Sequence, residues 1–260
     1  MDVLVCFRVV PDMSRACEED WTELAMAHPG AAFPRIFDSF DEVALEMALR
    51  FRDECLKSGE NARLHALTVS DIADDRLYEK LFALGYASVV RLDCNTGSLC
   101  TPNVKAALIA SRIRETELPD VIFCGEMGGI GGSRMTGPML AEQLGLPCIN
   151  NVSDVGYLRG MPDIRTTCAG TCSRLSISGK AVLLAGNSEH GLLRVPTIKA
   201  RLAARGMKAV VIAVSPVWSL AEIRPVTLFR QQAGQNCRFI EGTAAEQAEA
   251  IANIFKGGGP

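Results

Sequence analysis

One stretch, Asp120 to Pro147 (DVIFCGEMGGIGGSRMTGPMLAEQLGLP), restricts the possible folds of this chain more than any other. It reads as a buried strand, a glycine-rich turn and an amphipathic helix. Val121, Ile122 and Phe123 are a short apolar run with a proline before and a glycine after, the pattern of a core strand in a parallel sheet. Six glycines fall between Gly125 and Gly137 and leave backbone N–H groups open to approach. Ser133 is placed to cap a helix whose apolar face is Met135, Met139, Leu140 and Leu144, and Gly145 is placed to stop it. A helix N-terminus offers free N–H donors and partial positive charge, which suit a phosphate. Arg134 adds a cation there, and Ser133 and Thr136 add hydroxyls. The spacing is neither GxxxxGK followed by Ser or Thr nor a clean GxGxxG. These residues alone therefore fit a phosphate-friendly loop and a tight structural turn equally well.

Strands and helices alternate around this stretch. Residues 3–10 (VLVCFRVV), 63–69 (RLHALTV) and 88–92 (SVVRL) have strand patterns. Helical patterns begin at Asp41, with Asp38 or Ser39 as cap, then cover 73–84, ended by Gly85, and 102–116, with Pro102 in the first turn. Trp21 and Leu24 mark a short helical turn in the first long loop. This rhythm predicts an α/β fold with a doubly wound parallel sheet. Ligands of such sheets sit beyond the C-terminal strand ends, which places Cys6–Arg8, Val69–Ser70 and Cys124–Gly125 around one crevice. After Pro147 the pattern changes. Short strands at about 149–157, 163–167, 172–177 and 181–185 suggest an added β-hairpin region. Residues 186–206 are polar, then helical from Pro196 with Lys199, Arg201 and Arg205 on a basic face. A last strand covers 208–214. An extended arm follows, with a helix from about Thr243 to Phe255 and a frayed tail at Gly257–Pro260.

Several function classes are disfavoured. The formal net charge of −3 directs the chain to neither nucleic acid nor anionic membrane. No apolar run approaches the ~20 residues of a membrane span, and the N-terminus has no signal-peptide pattern. Of ten cysteines, Cys6, Cys124 and Cys148 read as small core residues. There is no CxxC, and neither Cys94 and Cys100 nor Cys168 and Cys172 have a histidine close by, so no metal site is expected. Free thiols suit a reducing, cytoplasmic setting. His28, His65 and His190 have no catalytic partner in their local sequence, and no catalytic constellation is visible.

Six segments occur together and in order: VLVCFRVVPD, DSFDEVALEMALR, LTVS followed by LFALGYASVVRL, CGEMGGIGGSRMTGPMLAEQLGLP, VPTIKA and EGTAAEQAEAIANIF. Together they resemble the β subunit of electron-transfer flavoproteins, including the FixA-type branch. The resemblance implies a flavodoxin-like, adenine-nucleotide-binding sheet. It also implies an electron carrier rather than an enzyme, paired with an α subunit that holds most of the FAD. The pair would shuttle electrons from a flavin-containing dehydrogenase to a downstream acceptor. The β site would hold AMP, or the ADP half of a second FAD in bifurcating members. Its cofactor-binding residues would be Cys6; Asp38, Ser39, Phe40 and Asp41; Val69; and Gly125, Glu126, Met127, Gly128, Gly129, Ile130, Gly131, Gly132, Ser133, Arg134, Met135 and Thr136.

The segment GLLRVPTIKARLAARG matches the family's recognition loop, so Leu193, Arg194, Val195, Pro196, Ile198 and Lys199 are the implied dehydrogenase contacts. A leucine commonly precedes the proline there. Val195 is one methylene smaller, which weakens an apolar anchor by roughly 1 kcal/mol. Residues 1–215 would be the nucleotide-binding domain, with the hairpins at about 149–185 and the recognition loop at about 186–206. Residues 216–260 would be an arm and helix for partner docking. The chain also departs from the family. Gly131, Gly132 and Met135 replace an acidic or amide-rich run and a glutamine, and Arg134 replaces a small or polar residue. After Arg165, residues Thr166 to Gly170 replace most of an acidic, paired-glycine hairpin. These departures keep an alternative open, a nucleotide-binding relative with a regulatory role and no electron transfer.

Overall fold

The computed structural model describes residues 1–15, 33–94, 101–128, 133–214 and 239–256. Expectations for Trp21 and Leu24, for Cys100, for residues 216–238 and for Gly257–Pro260 lie outside these. The elements in chain order are β1 (Asp2–Cys6), β2 (Val9–Pro11), a 3-10 turn at Met13–Arg15, β3 (Arg35–Phe37), α1 (Ser39–Lys57), β4 (Arg63–Val69), α2 (Asp75–Ala83), β5 (Ser88–Asp93), α3 (Pro102–Arg114), β6 (Val121–Gly125), α4 (Thr136–Leu144), β7 (Cys148–Leu158), β8 (Met161–Cys168), β9 (Thr171–Ser176), β10 (Ala181–Ala185), α5 (Ile198–Ala204), β11 (Val210–Ala213) and α6 (Ala244–Lys256). The chain forms two units, Met1–Ile223 and Arg224–Pro260.

The first unit carries a sheet in the order β11-β5-β4-β1-β6-β10-β7-β8-β9. It is parallel from β11 to β7. β7, β8 and β9 then continue it as an antiparallel meander. Helices on both faces bury the central strands, so these read as continuous apolar runs rather than alternating ones. Val3, Val5, Phe123 and Leu183 pack with Phe51 and Leu45 of α1. Leu4, Cys6, Ile122, Val182 and Leu184 pack on the other face with Ile109 of α3 and Leu140 of α4. Each such aliphatic or aromatic side chain contributes about 1.5–3 kcal/mol by leaving water.

Four expectations are corrected. The run 3–10 is not one strand: β1 ends at Cys6, and Val9–Pro11 pairs with β3 in a separate two-stranded sheet. Arg8 breaks the run by turning toward Asp38, at the cap of α1, and Asp41 in its first turn. Ser133 does not cap α4. That helix starts at Thr136, with Met135 at the cap position and no side-chain cap. Arg134, with φ 58°, interrupts helical backbone just before it. Strand 181–185 does not belong to the hairpins, since β10 lies parallel between β6 and β7. The helix expected from Pro196 begins at Ile198, where Thr197 accepts the Ala200 N–H. Other signals hold: Pro102 opens α3 and left-handed Gly145 ends α4. In the second unit Thr243 and Glu246 form a reciprocal capping box at the start of α6.

Candidate nucleotide crevice

Cys6 ends β1, and Cys124 lies opposite it in register, one residue before the end of β6. From β1 the chain continues through β4 and β5 to one side, whereas β6 leads to β10 and β7 on the other. This is a topological switch point, where the loops leaving two strands diverge and open a gap. A cavity of about 460 Å³ lies there, within the size range of small-molecule sites. Cys6 at the end of β1 and Phe7 and Arg8 after it line the cavity, with Asp41 from α1, Leu67 and Val69 from β4, and Pro102, Lys105 and Ile109 from α3. The turn residues Cys124 to Gly128 and Ser133 to Gly137 complete it.

The floor is held by charges. Asp41, in the first turn of α1, accepts the Gly125 N–H at 3.1 Å and the Arg8 N–H at 2.9 Å. Arg8 donates from Nε to Asp41 at 3.3 Å and from Nη2 to Asp38 at 2.9 Å. Burial pushes the Asp41 carboxyl up to about 6; Arg8 opposes that shift and Asp38 adds to it. Asp41 is thus ionised at neutral pH with little margin. Gly125 has no room for a side chain, because a β-carbon would lie 2.3 Å from the Asp41 carboxylate and 2.8 Å from backbone atoms of Phe40 and Asp41. A β-carbon on Gly128 would strike the Arg8 guanidinium. On the outer side, Arg134 faces Glu126 at 3.7 Å. Among the described residues, no group of three His, Cys, Asp or Glu could hold a metal ion.

Of the site residues read from the sequence, Cys6, Asp41, Val69, Gly125, Glu126, Met127, Gly128, Ser133, Arg134, Met135 and Thr136 line this cavity. Asp38, Ser39 and Phe40 are not part of the lining; Asp38 is buried and fixes Arg8. Gly129, Ile130, Gly131 and Gly132 lie outside the described residues. Sequence reasoning placed Arg8 at the crevice without choosing it, and missed Pro102, Lys105 and Ile109 altogether. Two signals were available. Arg8 is the single charge in an apolar run, and Pro102 opens a helix directed at the same sheet edge, with Lys105 one turn in.

The proposed recognition segment divides in two. Leu193 and Pro196 are buried, Leu193 in the α1-side core. Arg194 grips α1, with Nη2 2.8 Å from Glu46 and Nη1 2.6 Å from Asp53. Val195, Ile198 and Lys199 are exposed. Leu192 and Leu202 are exposed as well. On the hairpins, Arg165 pairs with Asp154 and Arg174 with Asp163. Among the described residues no helix is long and apolar enough to cross a membrane.

A model of the electron transfer flavoprotein domain family matches residues 33–215. The protein named "Putative electron transfer flavoprotein subunit YgcR" in Escherichia coli (strain K12) is 26% identical over 257 residues, covering 96% of both chains. The electron transfer flavoprotein subunit beta of Megasphaera elsdenii is 29% identical over 162 residues, 60% of this chain and 57% of that one. The acryloyl-CoA reductase electron transfer subunit gamma of Anaerotignum propionicum is 25% identical over 201 residues, 70% of this chain and 69% of the other. With the family model covering most of its length and its crevice at the switch point of a parallel sheet, the chain belongs to the electron transfer flavoprotein domain family.

Proposed function

We propose that the chain is a β-type subunit of an electron-transfer flavoprotein. It holds an adenine nucleotide, AMP or the ADP half of an FAD, in the crevice between β1 and β6. It pairs with an α subunit that carries most of the FAD, docks a flavin-containing dehydrogenase and passes its electrons to a downstream acceptor. The carrying observation is the cavity's construction at the switch point of the sheet, which combines cations at Lys105 and Arg134 with an apolar wall of Leu67, Val69 and Ile109. Such a set fits a flat base on one side and a phosphate on the other. The names of the relatives in Megasphaera elsdenii and Anaerotignum propionicum, both electron transfer subunits, support the electron-transfer part.

The flavin, when bound, supplies the redox chemistry. This chain's residues do the rest. Arg134 and Lys105 offer charge to a phosphate, Asp41 keeps Arg8 from swinging into the space of the ligand, and the apolar wall excludes water. The exposed apolar residues Leu192, Val195, Ile198 and Leu202 are the dehydrogenase contact, together with Lys199. Leu193 and Arg194 serve it by fixing the base of the loop. Residues 216–260 dock on the α subunit, and the complex works in the cytoplasm.

The test is to co-express the chain with its genomic α neighbour, purify and denature the complex, and identify what is released by chromatography and absorbance. One adenine nucleotide and one FAD per pair is the expected result, with a second FAD instead of AMP in a bifurcating complex. A pair without flavin overturns the proposal. Nucleotide without flavin would transfer support to the regulatory, non-electron-transfer reading.

A further inference from the structure

The floor of the crevice carries two thiols whose sulfur chemistry the proposed binding does not call on. Cys6 stands opposite Cys124 in parallel register, so their side chains project from the same face of the sheet. Both belong to the core facing α3 and α4, and both reach the cavity lining. They are 7% and 6% exposed, and neither forms a disulfide. The Cys6 thiol beside it, together with burial, holds the Cys124 thiol well above the usual range, so Cys124 rests protonated. In-register side chains on neighbouring parallel strands, about 4.8 Å apart, bring the two sulfurs within reach of one intervening atom.

We propose that Cys6 and Cys124 form a two-thiol site for a single soft, thiophilic centre of the kind trivalent arsenic presents, reached through the crevice and covered by whatever fills it. Soft centres prefer thiolate sulfur. With a monosubstituted arsenical the reaction is a condensation. Each thiol gives up its proton, two arsenic–sulfur bonds form, and the arsenic-bound oxygen leaves as one water, with no oxidant needed. Capture at the thiols and occupancy of the crevice then exclude each other. That exclusion rests on the nucleotide reading above, whereas capture itself does not.

The nucleotide-free full chain is treated with one equivalent of phenylarsine oxide, denatured and alkylated, and its peptides are mapped by mass spectrometry. Cys6 and Cys124 should be protected together, while the exposed Cys168 and Cys172 should alkylate normally. Cys6→Ala or Cys124→Ala should each weaken capture by roughly 100-fold, because the second sulfur binds as an intramolecular partner. Circular dichroism checks that the variants fold; if they do not, the wild-type map decides. No capture, or capture at other thiols, overturns the site. Saturating AMP should slow capture. Capture that AMP leaves unchanged would keep the two-thiol site and overturn the nucleotide reading of the crevice.

Discussion

Asp41 and Gly125, 84 residues apart, are joined by a 3.1 Å hydrogen bond from the glycine N–H to the aspartate carboxylate. The start of α1 is thereby stitched to the end of β6, and the glycine-rich turn leaves the sheet from a fixed point. A backbone donor and a charged acceptor make this stronger than a neutral pair.

Gly125→Ala should be severely destabilising, because the new methyl meets backbone atoms of Phe40 and Asp41 at 2.8 Å. Overpacking typically costs about 1–3 kcal/mol, and the rigid obstacle here places the change at the upper end. Gly128→Ala meets only the flexible end of Arg8 and should cost less. Urea midpoints of the two variants, measured side by side, check the order.

Asp41 makes stability depend on pH in a definite direction. Its folded-state value of about 6 lies above the ordinary 3.8, so the folded state binds the proton more tightly. That contribution is fully present below pH 4 and is lost as pH rises through 6. The shift corresponds to about 3 kcal/mol at most. Denaturation curves of wild type and Asp41→Asn between pH 4 and 7 should diverge in this window, wild type falling relative to the variant. Parallel curves would refute it.

Arg194→Ala should loosen the loop and leave Glu46, which is 6% exposed, without its guanidinium. Hydrogen bonds to charged groups contribute about 1.5–3 kcal/mol, and partial exposure of Arg194 puts the loss nearer the lower figure. Arg194→Lys should rescue little, since an ammonium cannot span two carboxylates in a fork. Guanidinium denaturation of both variants reads this.

Ile198→Asp should leave folding and bound nucleotide unchanged, because the side chain is 78% exposed. It should lower the rate of electron delivery from the dehydrogenase by roughly tenfold or more, the effect of charging an apolar contact. Stopped-flow reduction of the flavin by the charged dehydrogenase measures it. An unchanged rate would remove Ile198 from the docking surface.

Arg134→Ala should weaken nucleotide binding by about tenfold, the loss of one charge-assisted contact, with no change in melting temperature beyond that of the ligand-free chain. Isothermal titration with AMP decides this.

What could be read in the sequence was whatever local pattern controls. The apolar runs of β1, β6 and β10, the proline opening α3 and the glycine closing α4 announce themselves within a few residues. What could not be read depends on meetings across the chain. Arg8 interrupts a strand because Asp38 and Asp41, 30 and 33 residues on, draw it away. Leu193 and Arg194 resemble surface residues until α1 supplies a core for one and Glu46, 148 residues earlier, for the other. Ser133 has the chemistry of a cap, but left-handed Arg134 sets the helix to begin later. The position of β10 within the parallel sheet follows from strand order, which local composition does not encode.

The central place of β1 has a consequence for biosynthesis. Its sequence, DVLVC, is buried at four of five positions, yet it is translated before either neighbour. Its link to β6 begins where Asp2 meets Asp120, 118 residues later. At roughly 5–20 residues per second, an apolar strand waits on the order of ten seconds for that flank. During that interval one edge of an apolar strand stays unpaired on the nascent chain, so its yield in the cell should respond to the supply of ribosome-associated chaperones.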